Sequence, residues 1–255
     1  MNRFDNIDCM IGMTRLEDKS IDMILCDLPY GTTACKWDTV IPFEPLWENY
    51  KRLIKDNGAI VLFGSQPFTT DLINSNREWF KYEMIWDKMQ GSNFFEATTR
   101  QLKSHENILI FYKKQPLYNA QMTPSLPKNM RDRIKNKFKG VESGVYGDCK
   151  EYIPIKNEKE RYPLSVYYHS SQGNELHKTK RIHNTQKPVA LFEYLIKTYT
   201  NEGETVLDNC AGSGTTGVAC LKTNRNYIMF ELDKDYYDSA QKRLKQFRSQ
   251  LKLAI

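Results

Sequence analysis

The sequence contains no apolar run that approaches the roughly 18 to 20 residues of a membrane-spanning helix. Its first residues, Met1–Asp5, lead into polar sequence and lack the apolar centre of a secretory signal peptide. With 40% hydrophobic residues, the 255-residue chain nevertheless has enough apolar side chains to form a core. These features predict a soluble, globular, intracellular protein.

The six cysteines form no C-x-x-C pair, and none has a histidine at the spacing of a zinc site. Scattered cysteines of this kind are typical of proteins with reduced thiols. The pattern therefore predicts free thiols and no bound metal. The cysteines are Cys9, Cys26, Cys35, Cys149, Cys210 and Cys220.

Positive and negative charges balance along the chain except in one segment. Residues 115–185 contain 13 Lys/Arg against 7 Asp/Glu, which accounts for the whole formal charge of +6. The same segment holds five of the ten prolines and shows little sustained periodicity. This local change of composition predicts an insertion or second lobe on a regular scaffold.

Short apolar runs and helical patterns alternate through the rest of the chain. Such alternation predicts an α/β fold with a largely parallel sheet between helical layers. The predicted strands are 4–8, 21–26, 59–63, 82–86, 107–112, 205–208 and 227–230. The predicted helices are a weak one ending at 16, then 43–55, 67–74 and 189–199, with one more after each of the last two strands.

The segment Asp27–Tyr30 directly follows the apolar strand at 21–26. In an open α/β sheet, ligands bind at the carboxyl ends of the strands. Asp27 offers a carboxylate that only accepts hydrogen bonds, and Leu28 offers a backbone carbonyl whose direction is restricted by Pro29. Tyr30 adds a flat ring with a polar tip. Two acceptors beside an aromatic face suit a planar amine, although Asp and Pro also end many strands as an ordinary turn.

A second stretch combines a strand, a glycine turn and a helix start within residues 205–221. Gly212 and Gly214 allow a tight turn and a close approach of the backbone to a ligand. Glu231 follows the next strand, 19 residues after Gly212, close to the spacing at which an acid accepts hydrogen bonds from ribose hydroxyls. The combination predicts an adenosine-type cofactor, and a G-x-G-x-x-G of this form also fits a nicotinamide dehydrogenase.

The position of the glycine turn near the end of the sequence bears on that alternative. A dinucleotide fold normally begins with this unit and builds its other strands afterwards. Only residues 231–255 follow here, enough for one helix, so the remaining strands must come from the N-terminal half. This order predicts that the glycine turn and the Asp27–Tyr30 segment lie at the same edge of one sheet.

With these motifs in this order, the sequence closely resembles the amino-group DNA methyltransferases that use S-adenosylmethionine, in their permuted β-class arrangement. The Asp27–Tyr30 segment is similar to the family's D-P-P-Y motif, and residues 208–216 to its glycine-rich motif. Residues 185–188 resemble the segment that borders the methionine part of the cofactor. Residues 104–107 resemble the segment that lines the base pocket. The resemblance covers nearly the whole chain except the basic segment. Leu28 replaces a proline, but the acceptor there is a backbone carbonyl.

The resemblance implies a mostly parallel, seven-stranded Rossmann-like methyltransferase sheet with an inserted basic target-recognition segment. It implies a catalytic half at 1–114, a DNA-binding insertion at 115–184 and a cofactor-binding half at 185–255. The implied catalytic residues are Asp27, Leu28, Pro29 and Tyr30. The implied cofactor-binding residues are Asp8, Cys9, Asp27, Lys187, Pro188, Asp208, Ala211, Gly212, Ser213, Gly214, Thr215, Thr216 and Glu231. The residues expected to contact DNA phosphates are Lys128, Arg131, Arg133, Lys135, Lys137 and Lys139.

The resemblance also implies a reaction: methylation of adenine N6 in double-stranded DNA at a short specific sequence, as in restriction–modification. The target base would flip out of the duplex and stack on Tyr30, with Trp37, Phe63 or Phe68 as a further wall. Within the family an aspartate-led motif is associated with adenine, which favours N6-adenine as the target. N4-cytosine methylation is therefore the first alternative. An RNA or protein amide methyltransferase, a nicotinamide oxidoreductase and a non-catalytic DNA-binding module are the others. A cytoplasmic, bacterial or phage-encoded protein is implied, with homodimerisation common among members.

Overall fold

The computed structural model describes residues 2–33, 35, 38–124, 160–170 and 186–253. The basic cluster Lys128–Lys139, Thr185 and Trp37 lie outside the described residues. The described chain divides into two compact units, Met1–Asn119 with Ser165–Ile255, and Ala120–Leu164. Within the described part of the second unit, a two-stranded antiparallel pair places Thr123 opposite Arg161.

The strands lie close to where the apolar runs predict them. In the first unit, the three strands between residues 54 and 111 are longer than predicted, because each extends beyond its apolar centre. The strands are β1 (Arg3–Asn6), β2 (Ile21–Cys26), β3 (Ile54–Gly64), β4 (Phe80–Ser92), β5 (Lys103–Phe111), β6 (Thr123–Pro124), β7 (Glu160–Arg161), β8 (Val166–Tyr168), β9 (Thr205–Asp208) and β10 (Asn226–Glu231).

The helices of the described chain follow the predicted amphipathic patterns, and the helix predicted at 189–199 has those same bounds. Helices such as these are stabilised mainly by burial of one apolar face. They are α1 (Cys9–Thr14), α2 (Phe43–Leu53), α3 (Phe68–Ser75), α4 (Val189–Tyr199), α5 (Thr215–Lys222) and α6 (Lys234–Leu253). None of them is long and apolar enough to cross a membrane.

One mixed sheet organises the first unit, with the strand order β1-β10-β9-β2-β3-β5-β4-β8. The pairs from β1 through to β3 are parallel, whereas β5 pairs antiparallel with both β3 and β4. The predicted α/β class with a mostly parallel sheet is confirmed. Within the described residues the sheet has eight strands instead of the seven expected, because the three-residue β8 pairs in parallel with the edge of β4.

Both faces of the central strands are buried, which explains why their sequences are continuously apolar. In β2, Met23 and Leu25 pack into one apolar cluster, which also contains Leu195 of α4. Ile24 and Cys26 point to the other face and join a cluster that contains the α2 residues. Burial on both faces holds β2 at the centre of the sheet and so gives Asp27, the next residue, a rigid support.

The strand order brings the two sequence motifs together as predicted. Strand β2 is paired in parallel with β9, with Met23 opposite Val206 and Ile24 opposite Leu207. The carboxyl ends of these adjacent strands carry the Asp27–Tyr30 segment and the glycine turn. Their pairing explains how residues separated by about 180 positions come to line one site.

Candidate active site

The Asp27 carboxylate lies at the carboxyl end of β2, and both of its oxygens accept hydrogen bonds. The Tyr30 hydroxyl donates to Oδ1 at 2.7 Å. The Lys187 ammonium pairs with Oδ2. The Asp27 side chain is 22% exposed, so the carboxylate remains open to the adjoining cavity. Each carboxylate oxygen has a second lone pair, which leaves capacity for a further N–H donor.

Lys187 is a buried cation held between two carboxylates. Its side chain is only 7% exposed, and its Nζ lies 3.2 Å from Glu106 Oε2 in addition to its contact with Asp27. The ammonium also sits over the Phe63 ring, 5.1 Å from the ring centroid. Burial lowers the pKa of Lys187, but the two carboxylates outweigh it and the pKa is raised overall. Lys187 therefore remains protonated.

The two carboxylates beside Lys187 have pKa values shifted in opposite directions. Burial raises the pKa of Asp27, and Lys187 offsets this only partly because Glu106 adds a like charge. Burial also raises the pKa of Glu106, but Lys187 and Lys88 outweigh it, so the net shift is downward. The Lys88 ammonium lies 3.5 Å from Glu106. Glu106 is consequently the more firmly ionised of the pair.

The loop after Tyr30 is organised by the buried carboxylate of Asp38, which the sequence analysis did not single out. Asp38 is 8% exposed and accepts four backbone N–H groups, at 2.7 to 2.9 Å. Their donors are Tyr30, Gly31, Thr32 and Thr33. Burial raises the Asp38 pKa, but these hydrogen bonds outweigh it and leave the pKa lowered. The only sequence signal was an acid eight residues after Tyr30.

The Tyr30 ring is supported from behind by Phe68, with ring centroids 5.0 Å apart and planes inclined by 27°. Phe63 instead stacks on Phe192 within the core, at 5.4 Å and 10°. Of the aromatic residues considered as a base-pocket wall, neither Phe63 nor Phe68 lines the cavity. Trp86, which sequence reasoning had not chosen, does line it.

The glycine turn is held open by its own backbone geometry and by two charged side chains. Gly212 and Gly214 have φ values of 49° and 72°, in the left-handed region that favours glycine. Gly212 N–H donates to Glu231 Oε2 at 2.8 Å. Arg243 Nη1 donates to the Ser213 carbonyl at 2.9 Å. The turn is therefore preformed.

Asp208 ends β9 as a buried acid beneath this turn. Its carboxylate accepts hydrogen bonds from the Thr216 hydroxyl and, at 3.1 Å, from Cys210 N–H. Burial raises the Asp208 pKa to about 7, a rise only partly offset by the Thr216 hydroxyl. After the end of β1, Asp8 caps α1 by accepting the Met10 N–H at 2.9 Å.

A cavity of about 880 Å³ joins the two motifs and is lined by nearly all the predicted catalytic and cofactor residues. Those that line it are Asp8, Cys9, Asp27, Leu28, Pro29, Tyr30, Lys187, Asp208, Ala211, Gly212, Ser213, Thr215 and Glu231. Pro188, Gly214 and Thr216 do not line it and lie in the supporting structure. Further lining residues to which the sequence analysis gave no individual role are Asp38, Trp86, Lys88, Gln186, Phe192, Asn209 and Tyr236.

The composition of the cavity fits an adenosine-type cofactor. Glu231 uses its two oxygens for the N–H groups of Gly212 and Asp233, at 2.8 and 2.9 Å, and each oxygen keeps a lone pair for a ribose hydroxyl. Leu232 and Tyr236 add apolar surface on the same side. Within the described part of the chain, no three His, Cys, Asp or Glu side chains are grouped as metal ligands.

Known proteins are similar to this chain over most of its length. A family model described as DNA methylase, of the N6/N4 type, matches residues 21–242. The type II methyltransferase M1.MboII of Moraxella bovis is 26% identical, with 94% of this chain and 95% of the relative covered. The type II methyltransferase M.HpaI of Haemophilus parainfluenzae is 27% identical, with coverage of 91% and 71%.

Solved structures show the same fold. The crystal structure of an M1.HpyAVI–SAM complex superposes with a TM-score of 0.60 and 23% identity, covering 96% of this chain and 99% of that one. The PvuII DNA methyltransferase, whose description is cytosine-N4-specific, gives a TM-score of 0.65 at 14% identity, with coverage of 97% and 91%.

Proposed function

The chain belongs to the N6/N4 family of DNA methylases, and from this premise we propose that it methylates the exocyclic N6 amino group of adenine in double-stranded DNA, with S-adenosylmethionine as the donor. The single observation that carries the proposal is that the Asp27–Tyr30 segment and the Glu231-supported glycine turn open into one cavity. An acceptor for an amine and a site for a nucleoside thus face each other across one space.

The residues that would hold S-adenosylmethionine are those around the glycine turn. Glu231 would accept hydrogen bonds from the ribose hydroxyls, and the Ala211–Ser213 backbone would pass close to the bound molecule. Asp8 and Lys187 line the same cavity. When bound, the donor supplies an electrophilic methyl group on a sulfonium centre.

The role of Asp27 and Leu28 follows from the chemistry of the target amine. An exocyclic amine is a poor nucleophile because its lone pair is delocalised into the ring. Hydrogen bonds from its two N–H groups to the Asp27 carboxylate and the Leu28 carbonyl would favour a tetrahedral nitrogen and orient its lone pair. Among the described residues, no hydrogen bond to the Leu28 carbonyl occurs that would compete.

The target base must leave the duplex to reach this cavity. Base flipping costs a few kcal/mol, which stacking in an active-site pocket helps to offset. Tyr30, backed by Phe68, would supply the stacking face. Sequence recognition is assigned to the 115–184 insertion between the two scaffold parts 1–114 and 185–255, with phosphate contacts from the Lys128–Lys139 cluster.

The first alternative is methylation of cytosine N4. It is favoured by the structural similarity to the PvuII enzyme, whose description is cytosine-N4-specific. The Asp27–Tyr30 segment begins with an aspartate, which favours adenine. In the family that the sequence resembles, an aspartate-led motif is associated with that base. Cytosine and adenine both present an exocyclic amine, so the acceptor pair would serve either.

Analysis of methylated nucleosides distinguishes these functions. Duplex DNA would be incubated with the protein and S-adenosylmethionine, digested to nucleosides and analysed by mass spectrometry, with Asp27→Ala as the inactive control. We expect N6-methyladenine from the wild type only, and sequencing of the product would give the recognition site. N4-methylcytosine would select the alternative, and methylation of RNA or protein but not DNA would reject the proposal.

A further inference from the structure

The arm formed by residues 87–103 consists of the end of β4, the connecting segment and the first residue of β5, and it presents two exposed aromatic side chains. Phe95 is fully exposed at 104%, and Phe94 is 68% exposed. Both lie in a short 3-10 turn, Phe94–Glu96, at the end of the arm. Large apolar side chains exposed side by side mark an interaction surface more often than single ones do.

This aromatic turn is held in place by hydrogen bonds. The Glu96 carbonyl accepts the backbone N–H groups of Thr99 and Arg100 at 2.9 and 3.0 Å. The Glu96 carboxylate also pairs with the Arg100 guanidinium. Asn93, which precedes the turn, has a left-handed φ of 64° that directs the chain into it. The two phenylalanines are therefore presented by an ordered turn.

The base of the arm forms part of the cavity wall. Lys88 and Ser92 line the cavity that contains Asp27. The Ser92 hydroxyl donates to the Lys103 carbonyl at 2.8 Å, which ties the two sides of the arm together. Phe94 follows Ser92 by two residues, about 7 Å of extended chain. The backbone of Phe94 thus lies within about 7 Å of a residue that lines the cavity.

We propose that Phe94 and Phe95 insert into the DNA base stack beside the cavity and fill the space that the target base leaves. This inference rests on the proposed function. Flipping leaves a gap one base thick, and apolar side chains of this kind act as wedges between base steps in other DNA-binding proteins. A flat ring on an ordered turn can enter such a gap with little loss of conformational entropy.

Duplex DNA suits this surface better than a second copy of the chain does. The arm carries three cations, Lys88, Arg100 and Lys103, against two acids. A self-association patch would have no need to adjoin the catalytic cavity, whereas a wedge must lie there. The aromatic pair also lies on a protruding turn, a shape that enters a gap instead of covering a flat surface.

The test compares two duplexes that contain the recognition sequence. In one the target base is normally paired, and in the other it lies opposite an abasic site, which lowers the cost of flipping. Phe94→Ala/Phe95→Ala would be compared with Phe94→Leu/Phe95→Leu, which keeps an apolar wedge, and with Ile11→Ala, an exposed apolar residue outside the arm. Single-turnover methylation rates and 2-aminopurine fluorescence at the target position would be measured.

We expect the double alanine variant to methylate the paired duplex at least about ten times more slowly while staying within about three-fold of wild type on the abasic duplex. The fluorescence increase on binding should be lost with alanine and kept with leucine and in Ile11→Ala. The inference would be overturned if the double alanine variant kept the wild-type rate on both duplexes, or if its rate fell by the same factor on both. If the double alanine substitution converted a dimer to a monomer and slowed methylation of both duplexes equally, Phe94 and Phe95 would form a self-association surface instead. Wild-type protein that methylates no DNA would reject the proposed function itself, and the inference with it.

Discussion

The ammonium of Lys187 lies against the carboxylate of Asp27, although the two residues are 160 positions apart in the chain. Strand β2 ends at Asp27, and Lys187 lies just before α4, so their contact exists only because of the fold. Sequence comparison with the family assigned Lys187 to cofactor binding alone. In the structure this cation opposes the burial that would otherwise favour a neutral Asp27.

Replacing Lys187 by methionine should move the acid limb of the pH–rate profile to higher pH. Asp27 must be ionised to accept the amine, burial raises its pKa, and Lys187 opposes that rise. Without the cation the Asp27 pKa increases further, so activity lost at neutral pH should partly return at alkaline pH. Measurement of kcat/KM against pH would check this, with the exposed Lys197→Met as the control. An unshifted limb in Lys187→Met would contradict the predicted coupling.

Asp38→Asn should slow methyl transfer while leaving cofactor binding intact. The substitution removes the charge from an acceptor of four backbone N–H groups and so loosens the loop that begins at Tyr30. Loss of about 1 to 3 kcal/mol of such bonding corresponds to a roughly 5- to 150-fold lower kcat. Steady-state kinetics and thermal shift with S-adenosylmethionine would measure both effects.

The control for Asp38→Asn is Asp18→Asn, which alters an exposed carboxylate paired with Arg52. It should leave kcat unchanged, because an exposed ion pair contributes little. If Asp38→Asn also kept wild-type kcat, the four hydrogen bonds would have no part in positioning Tyr30.

Asp208→Asn should make the stability of the folded protein fall less as the pH rises. The Asp208 pKa is about 7 in the folded protein, above that of an unfolded aspartate. The folded state therefore binds the proton more tightly, and this contribution to stability is present at low pH and lost as pH rises from about 4 to 7. The slope is at most about 1.4 kcal/mol per pH unit. In thermal denaturation from pH 5 to 8, the melting temperature of the variant should rise relative to that of wild type. Parallel dependences of the two melting temperatures on pH would contradict this.

Glu231→Ala should weaken binding of S-adenosylmethionine, because the ribose hydroxyls would lose a charged acceptor. A contribution of about 1.5 to 3 kcal/mol corresponds to a loss of roughly 10- to 150-fold in affinity. Since Glu231 also holds the Gly212 N–H, Glu231→Gln provides a variant that keeps an acceptor for the turn. Calorimetric titration should rank wild type, glutamine and alanine in that order. Binding of NAD in place of S-adenosylmethionine would support the oxidoreductase alternative.

Charge reversal within the Lys128–Lys139 cluster should weaken binding to all DNA sequences. Each phosphate contact contributes about 0.9 to the slope of log affinity against log salt, so the slope should become shallower. Cofactor affinity should be unchanged, because the glycine turn belongs to the sheet scaffold. Fluorescence anisotropy over a salt series would measure the slope. Wild-type affinity and slope in the reversed variant would show that the cluster makes no phosphate contacts.

The sequence by itself determined the fold class, the order of the elements and the place of both motifs. Apolar periodicity identified β2, β9 and α4 because burial of one or both faces leaves a direct record in the pattern of side chains. Chain order placed the glycine turn beside Asp27 because parallel strands in an open sheet share one carboxyl edge. The match to the DNA methylase family then confirmed the family that those motifs indicated.

Tertiary structure alone decided which charged groups meet. Lys187, Glu106 and Asp27 come from three separate parts of the chain, and no periodicity records a pairing between side chains on different elements. Asp38 was equally hidden, because a carboxylate that binds backbone N–H groups depends on the conformation of the loop around it. The sequence also did not predict that β4 and β5 extend into the arm of residues 87–103, because the polar residues of the arm have no strand pattern. Local sequence encodes burial, whereas electrostatic contacts between distant residues depend on how the folded strands are arranged.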